Sequence, residues 1–220
     1  MRKLIPFIVG GVIVLGGTAA FFMAKKDDPA KSTTNSSQSS ARSSAFTAVN
    51  MAGQSFRATI STQAESGGQE NRAVMEADAK TGAVSYQATT AGEAMKIIYT
   101  KEAYYMCQAE SCVKYALGQG TGANFSPDAY QYDEREIESF KKASTSLGRQ
   151  SCPAGTCDVW KVTSDGSDAK VYVDTKTKRI SQVTTEKNGA TSKVVYEYTD
   201  VSVTIPTNAQ EVPNITLPSR

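Results

Sequence analysis

The feature that most constrains this chain is an alternation of apolar and polar residues, repeated in short segments from Phe56 onward. In the first segment Phe56, Ala58 and Ile60 alternate with polar residues, a period of two that is typical of half-buried β-strands. Turn-forming residues such as Asn188-Gly189 separate the segments, and Asn-Gly favours tight hairpins. The segments are 56–61, 72–79, 83–89, 94–100, 104–107, 112–117, 157–163, 169–174, 179–186, 192–199 and 201–205. About ten or eleven strands joined by short turns predict a mainly β fold, an antiparallel meander in a sandwich or an open barrel.

One stretch in the middle of the chain departs from this alternation. Ser126-Pro127-Asp128 is typical of a helix start, with proline in the first turn. From there, apolar residues recur at helical spacing through Ile137, Phe140 and Leu147, and Gly148 follows. The sequence therefore predicts an amphipathic helix that ends near Gly148 and packs its Ile137–Phe140 side against the sheet.

The chain begins with an uncharged, apolar run from Leu4 to Ala24, about 21 residues, which is long enough for a helix to cross a bilayer. We predict a transmembrane signal-anchor over 1–26, a single-pass anchor in the cell membrane. A cleaved signal peptide is the alternative, and both interpretations place the body outside the cytoplasm. Residues 27–50 are rich in Ser and Thr and predict a disordered linker. An extracytoplasmic β domain over 51–213 and a tail over 214–220 complete the predicted organisation.

The four cysteines form two equally spaced pairs, Cys107 with Cys112 and Cys152 with Cys157. In an exported domain an even number of cysteines favours disulfides. Each local pair would close a short, turn-like loop and would stabilise the fold by about 2 kcal/mol. We therefore favour local pairing, while a longer cross-link and a zinc site built from all four cysteines stay open as alternatives.

Several kinds of chemistry lack their usual residues in this chain. It contains no histidine, which removes histidine-based nucleophilic triads, histidine metal sites and the commonest general base. The densest acidic cluster, Asp133 to Glu138, lies on the predicted helix, where a solvated face explains it. Lysines are scattered, without a basic stripe for nucleic acid. We expect no enzymatic activity, no cofactor, no metal and no nucleic-acid partner, and a monomeric chain.

Many aromatic residues and methionines lie on predicted strands, among them Tyr99, Tyr115, Trp160, Met95 and Met106. They could form an ordinary sheet core with cross-strand pairs. They could equally line an adaptable apolar site, because methionine and aromatic side chains suit pockets that accept varied hydrophobic ligands.

Four segments of the second half form a recognisable pattern: CDVWKV (157–162), VYVDTKT (171–177), YEYTD (196–200) and VTIP (203–206) followed by Val212-Pro213. Through these segments, residues 148–213 resemble the LolA-like family, which includes the periplasmic lipoprotein carrier, its outer-membrane acceptor and envelope lipoproteins of the LppX/LprG type. Residues 55–147 match only in the order of elements.

The resemblance implies an open, curved antiparallel half-barrel wrapped round the helix, with a cavity for acyl chains and no catalysis. The chain departs from the lipoprotein members because no lipidated cysteine follows its apolar run, and an uncleaved anchor would prevent shuttling. We expect a membrane-tethered envelope domain that binds a lipid or a lipoprotein acyl chain. A protein-interaction or scaffold module with a filled core is the alternative. The predicted lining residues are Met95, Ile97, Tyr99, Met106, Tyr115, Ile137, Phe140 and Trp160.

Overall fold

In the computed structural model, the described residues are 46–64, 70–90, 93–116, 130–164, 167–187 and 189–212. They form twelve strands in a single sheet and one helix. The strands are β1 (Phe56–Ala64), β2 (Asn71–Asp78), β3 (Ala83–Thr90), β4 (Glu93–Tyr99), β5 (Ala103–Gln108), β6 (Ser111–Ala116), β7 (Ser144–Cys152), β8 (Gly155–Ser164), β9 (Ser167–Asp174), β10 (Ile180–Lys187), β11 (Ala190–Glu197) and β12 (Gln210–Glu211), and the helix is α1 (Glu134–Ala143).

The sheet consists of two antiparallel meanders placed side by side. In the first meander β1 to β6 are neighbours in chain order, and in the second β7 to β11 are neighbours in chain order. The two meanders join through β1 and β11, and the short β12 adds to β6 in parallel. Within the described residues the edge strands β7 and β12 do not pair with each other, so the sheet is open. The predicted mainly β, antiparallel fold is confirmed.

The helix is shorter than the sequence predicted. It starts at an N-cap, Asp133, whose carboxylate accepts from the Glu136 amide while the Glu136 side chain accepts from the Asp133 amide. This capping box sets the first turn. Ile137 and Phe140 are its buried residues. The predicted extension to Leu147 is wrong, because Ser144–Cys152 forms β7, a strand paired with β8. The predicted start at Ser126 lies outside the described residues.

The strand count also differs from the prediction, in both directions. The structure adds β7 and β12, whereas the predicted strand over 201–205 is absent from the described residues, which have no strand between β11 and β12. In that segment Val201 and Val203 are nevertheless buried. The amide of Val203 donates to the Asp78 carboxylate, and farther on the Val212 amide donates to the Lys114 carbonyl. The alternating valines therefore mark a segment that packs against the sheet without pairing within it.

Different parts of the chain pack against the two faces of the sheet. The helix face, the side that α1 contacts, carries the main core, which includes Met75, Tyr86, Ile137, Phe140 and Trp160. The reverse face carries a smaller cluster around Ile98, Tyr105 and Cys107, which Val203 and Ala209 of the C-terminal segment cover. Because both faces are packed in the first meander, its strands do not follow the simple inside–outside alternation of a one-sided sheet.

Both disulfides are local, as predicted. Cys107–Cys112 closes the β5–β6 hairpin with a Cα–Cα distance of 4.1 Å, and Cys152–Cys157 closes the β7–β8 hairpin with 5.9 Å. The described residues contain no free cysteine. Each disulfide ties one hairpin, one in each meander.

Packing of the domain begins five residues before the predicted boundary at residue 51. Phe46, which we assigned to the linker, is 2% exposed, and Met51 is 1% exposed. The amide of Val49 donates to the Lys178 carbonyl at 2.8 Å, and that of Met51 to the Tyr132 carbonyl at 2.9 Å. The predicted anchor over 1–26 and the rest of the linker lie outside the described residues. In the described part, no helix has the length and apolar character that crossing a bilayer requires.

Candidate hydrophobic ligand site

The eight residues predicted to line a site all belong to the helix face. Ile137 and Phe140 project from α1 into the main core, where Trp160 of β8 also lies. On the first meander, Ile97 stands opposite Tyr86, which belongs to the same core, and opposite Met106. Side chains of directly opposed residues point to the same side of a sheet. The same register places the remaining predicted residues, Met95, Tyr99 and Tyr115, on the helix face.

Three of the eight are packed together at what we call the helix end, around Ile137, Phe140 and Trp160. The Phe46 ring fits between two of them, with centroids 6.0 Å from Phe140 and 5.6 Å from Trp160. Phe140 and Trp160 are each 3% exposed. The helix end is therefore occupied by the chain's own side chains. Phe46 and Met51 were not predicted as part of this end, because Phe46 was assigned to the Ser-rich linker and neither residue lies on a predicted helix or strand.

The other five lie at what we call the methionine–tyrosine end, formed by Met95, Ile97, Tyr99, Met106 and Tyr115. Four of these are half-buried, and Ile97 is buried. None of the five belongs to the main core cluster. This end thus extends the apolar helix face beyond the part that the core fills.

A further tyrosine of this end was missed by the sequence analysis. Tyr104 stacks on Tyr115 with ring centroids 4.7 Å apart and an interplanar angle of 5°, and it also stacks on Tyr99 at 5.9 Å. It lies two residues before Met106 on β5, so strand alternation alone would have placed it on the same face. The three stacked rings form one apolar wall across β4, β5 and β6.

Polar groups border the methionine–tyrosine end at one side. Glu93 precedes Met95 on β4, and its carboxylate accepts from the Gln108 side chain at 2.6 Å. Both residues are exposed. Since Gln108 stands opposite Met95, this pair lies at the border where the apolar surface meets solvent.

Burial favours the neutral form of five tyrosines on the helix face. It raises the pKa of Tyr99 to about 12, and it raises the pKa values of Tyr86, Tyr132, Tyr196 and Tyr198 further. The physical cause is desolvation of the phenolate form. The Arg179 guanidinium, 4.8 Å from the Tyr198 ring centroid, opposes that shift at Tyr198. At neutral pH the helix face therefore presents uncharged phenol groups.

The carboxylates that could act as catalytic or metal-binding groups have structural partners. Asp133 caps α1, and hydrogen bonding from the Glu136 amide lowers its pKa. Asp174 accepts from Thr177 and Lys176 in the turn after β9, which lowers its pKa. In the described ranges, no group of three or more Cys, Asp or Glu residues is placed to hold a metal ion.

The fold is similar to several solved structures. LprF from Mycobacterium bovis matches with 12% identity and a TM-score of 0.49 over 71% of this chain and 90% of its own. LppX from Mycobacterium tuberculosis matches with 7% identity and a TM-score of 0.43 over 70% of this chain and 90% of its own. An uncharacterized conserved protein from Thermus thermophilus matches with 16% identity and a TM-score of 0.44 over 73% of this chain and 90% of its own.

LppX, which belongs to the family that residues 148–213 resemble, and LprF are both among these structures. No protein-family model matches the chain, and no curated protein does. At these identities and TM-scores we base no functional statement on the likeness.

Proposed function

We propose that this chain is an extracytoplasmic envelope domain that binds an acyl chain of a lipid or lipoprotein, without catalysis, on the helix face at the methionine–tyrosine end. The observation that carries the proposal is the row of half-buried Met95, Tyr99, Met106 and Tyr115 beside a filled core. The apolar segment 1–26 would anchor the domain in the cell membrane, and the residues after it would tether the domain, which ends near 213.

The side chains of this end suit a flexible hydrocarbon ligand. Methionine is unbranched and polarizable, so Met95 and Met106 can adapt to chains of different length and unsaturation. The stacked Tyr104 and Tyr115 rings provide a rigid wall beside these flexible side chains. The Glu93–Gln108 pair at the border would face a polar head group while the hydrocarbon covers the methionines.

Native mass spectrometry of residues 40–220, secreted into an oxidising compartment and purified without detergent, tests the proposal. We expect a lipid at about one per chain, identified after organic extraction. Met95→Asp should lower lipid retention by about tenfold or more, because a carboxylate would be buried against hydrocarbon. Lys96→Asp is the matched control, since Lys96 is the next residue, is equally half-buried and points to the reverse face.

A wild-type chain that stays free of lipid after incubation with envelope lipids would refute the proposal. Equal lipid retention in the Met95→Asp and Lys96→Asp variants would show that the lipid lies elsewhere on the domain.

The edge strand β7 favours a second candidate, a protein-interaction module. Seven consecutive residues of β7, from Thr145 to Ser151, are exposed, including Leu147 at 40%. Among the described residues β7 pairs on one side only, with β8. An extended peptide could add to this free edge as a further strand. A lipid-free chain that binds an envelope protein, with binding lost on Ser151→Pro, would favour this candidate, because the register places the Ser151 amide on the free side of β7.

A further inference from the structure

The segment before β1 occupies a place that an acyl chain could occupy. Residues 46–51 cross the helix face beside α1, and Phe46 lies between Phe140 and Trp160. Phe46 contributes to the main core although it belongs to no helix or strand.

The segment is attached less firmly than the strands it covers. Besides the packing of Phe46 and Met51, the Val49 amide and the Met51 amide donate to the carbonyls of Lys178 and Tyr132. The other hydrogen bonds described for it are local, from Gln54 back to Met51 and Asn50. By comparison β1 pairs along its length with β2 and β11. Release of residues 46–51 would therefore leave every strand pair intact.

Trp160, whose ring contacts Phe46, carries a polar atom with no partner in the described part of the chain. Trp160 is 3% exposed, and its indole Nε1 has no hydrogen-bond acceptor among the described residues. Buried donors are nearly always satisfied, so an exception indicates a missing acceptor. An ester carbonyl at the head of a fatty acyl chain is such an acceptor, and its hydrocarbon would fit where the Phe46 ring lies.

We infer that Phe46 is a displaceable plug of a second acyl site at the helix end. In this state the ring fills the space between Phe140 and Trp160. An esterified acyl chain entering the helix face would replace it and would accept a hydrogen bond from Trp160 Nε1. The inference rests on the proposed function and adds to it: binding at the helix end would require release of the segment that connects the domain to its tether.

The chain offers its own reporter, because Trp160 is its only tryptophan. The full chain is reconstituted in phosphatidylglycerol vesicles, with and without bromine on the acyl chains. Bromine quenches indole fluorescence at contact distance, so quenching of Trp160 reports an acyl chain at the helix end. Phe46→Ala is compared with Val49→Ala, a matched change in the same segment at a side chain that is 45% exposed. Phe46→Leu, which keeps a smaller plug, serves if the alanine variant does not fold.

In the wild type, only the molecules whose plug has been released can bind an acyl chain at the helix end, and this lowers the apparent affinity. We therefore expect Phe46→Ala to reach half-maximal quenching at about a tenfold lower fraction of brominated lipid. Phe46→Leu should fall between, and Val49→Ala should match the wild type. Ether-linked lipid lacks the ester carbonyl and should bind Phe46→Ala about threefold more weakly, the effect of one hydrogen bond. A brominated diacylated lipopeptide in unbrominated vesicles distinguishes lipoprotein from phospholipid as the source of the chain.

Equal quenching of wild type and Phe46→Ala would overturn the plug while leaving acyl binding intact. Absence of quenching in both, with lipid still retained in the mass spectrum, would also overturn it and would leave the methionine–tyrosine end as the site. Absence of both quenching and retained lipid would refute the plug and the proposed function together. Equal binding of ether and ester lipids would show that Trp160 Nε1 does not donate a hydrogen bond to the ligand.

Discussion

The helix end and the methionine–tyrosine end lie on one face of one sheet, yet they are packed differently. At the helix end, α1 and residues 46–51 cover the sheet, and Phe46, Phe140 and Trp160 pack ring against ring. At the methionine–tyrosine end, Met95 and Met106 stay half-buried beside stacked tyrosines. One end of this face is therefore filled by the core, and the other end, which carries the proposed binding surface, stays half-exposed.

The largest expected effect tests whether stability resides at the helix end. Phe140→Ala should lower the free energy of unfolding by about 3–5 kcal/mol, because it leaves a cavity in a fully packed site. Met106→Ala at the other end should lower it by about 1 kcal/mol, because a half-buried side chain loses less transfer free energy. Urea denaturation, followed by far-UV circular dichroism, measures both. Equal losses would mean that the two ends are packed alike.

Alkaline pH gives the next largest effect. Burial raises the pKa of Tyr132 at the helix end above that of an unfolded tyrosine, near 10. The folded chain therefore holds this proton more tightly than the unfolded chain does, and its contribution to stability is complete below pH ~10 and is lost as pH rises above it. Between pH ~10 and ~11, Tyr132→Phe should make the fall in unfolding free energy less steep by about 1 kcal/mol per pH unit.

Urea titrations at several pH values measure that slope, and the wild type between pH ~7 and ~9 provides the baseline, where neither state ionises its tyrosines. Tyr99→Phe makes the same measurement at the methionine–tyrosine end, where the pKa of Tyr99 is raised to about 12. An unchanged slope in Tyr132→Phe would show that this phenol is not buried in the folded state.

The smallest expected effect compares equivalent turns in the two meanders. Asp78 accepts from the Lys80 amide in the β2–β3 turn, and Asp174 accepts from the Lys176 amide in the β9–β10 turn. The fifth residue of each turn has positive φ: Gly82 at 71° and Lys178 at 58°. Lys178→Gly should raise the free energy of unfolding by about 0.5 kcal/mol, since relief of left-handed strain outweighs the entropy that glycine loses.

The melting temperature by differential scanning calorimetry checks this change, with Gly82→Ala as the opposite substitution. At Gly82 an added Cβ would also lie 3.3 Å from the Lys101 side chain, so Gly82→Ala should destabilise. A Lys178→Gly variant less stable than the wild type would show that contacts of the Lys178 side chain matter more than its backbone.

Sequence reasoning succeeded where structure depends on near neighbours. Alternation along β4 places Met95, Ile97 and Tyr99 on one face, and the register agrees. Both disulfides join cysteines five positions apart. It failed at the end of α1, because Leu147 continues a helical spacing while pairing with β8 makes its segment a strand. It also missed Phe46, whose burial depends on a partner more than ninety positions away.

By itself, then, the amino-acid sequence determined strands β1 to β6 and β8 to β11 and the faces of their side chains, because a period of two is a property of each short segment. Only the tertiary structure decided that β1 pairs with β11, that Val203 covers the reverse face, and that Phe46 fills the helix end. Those contacts join distant parts of the chain, and they form where buried apolar area offsets the entropy of closing a long loop.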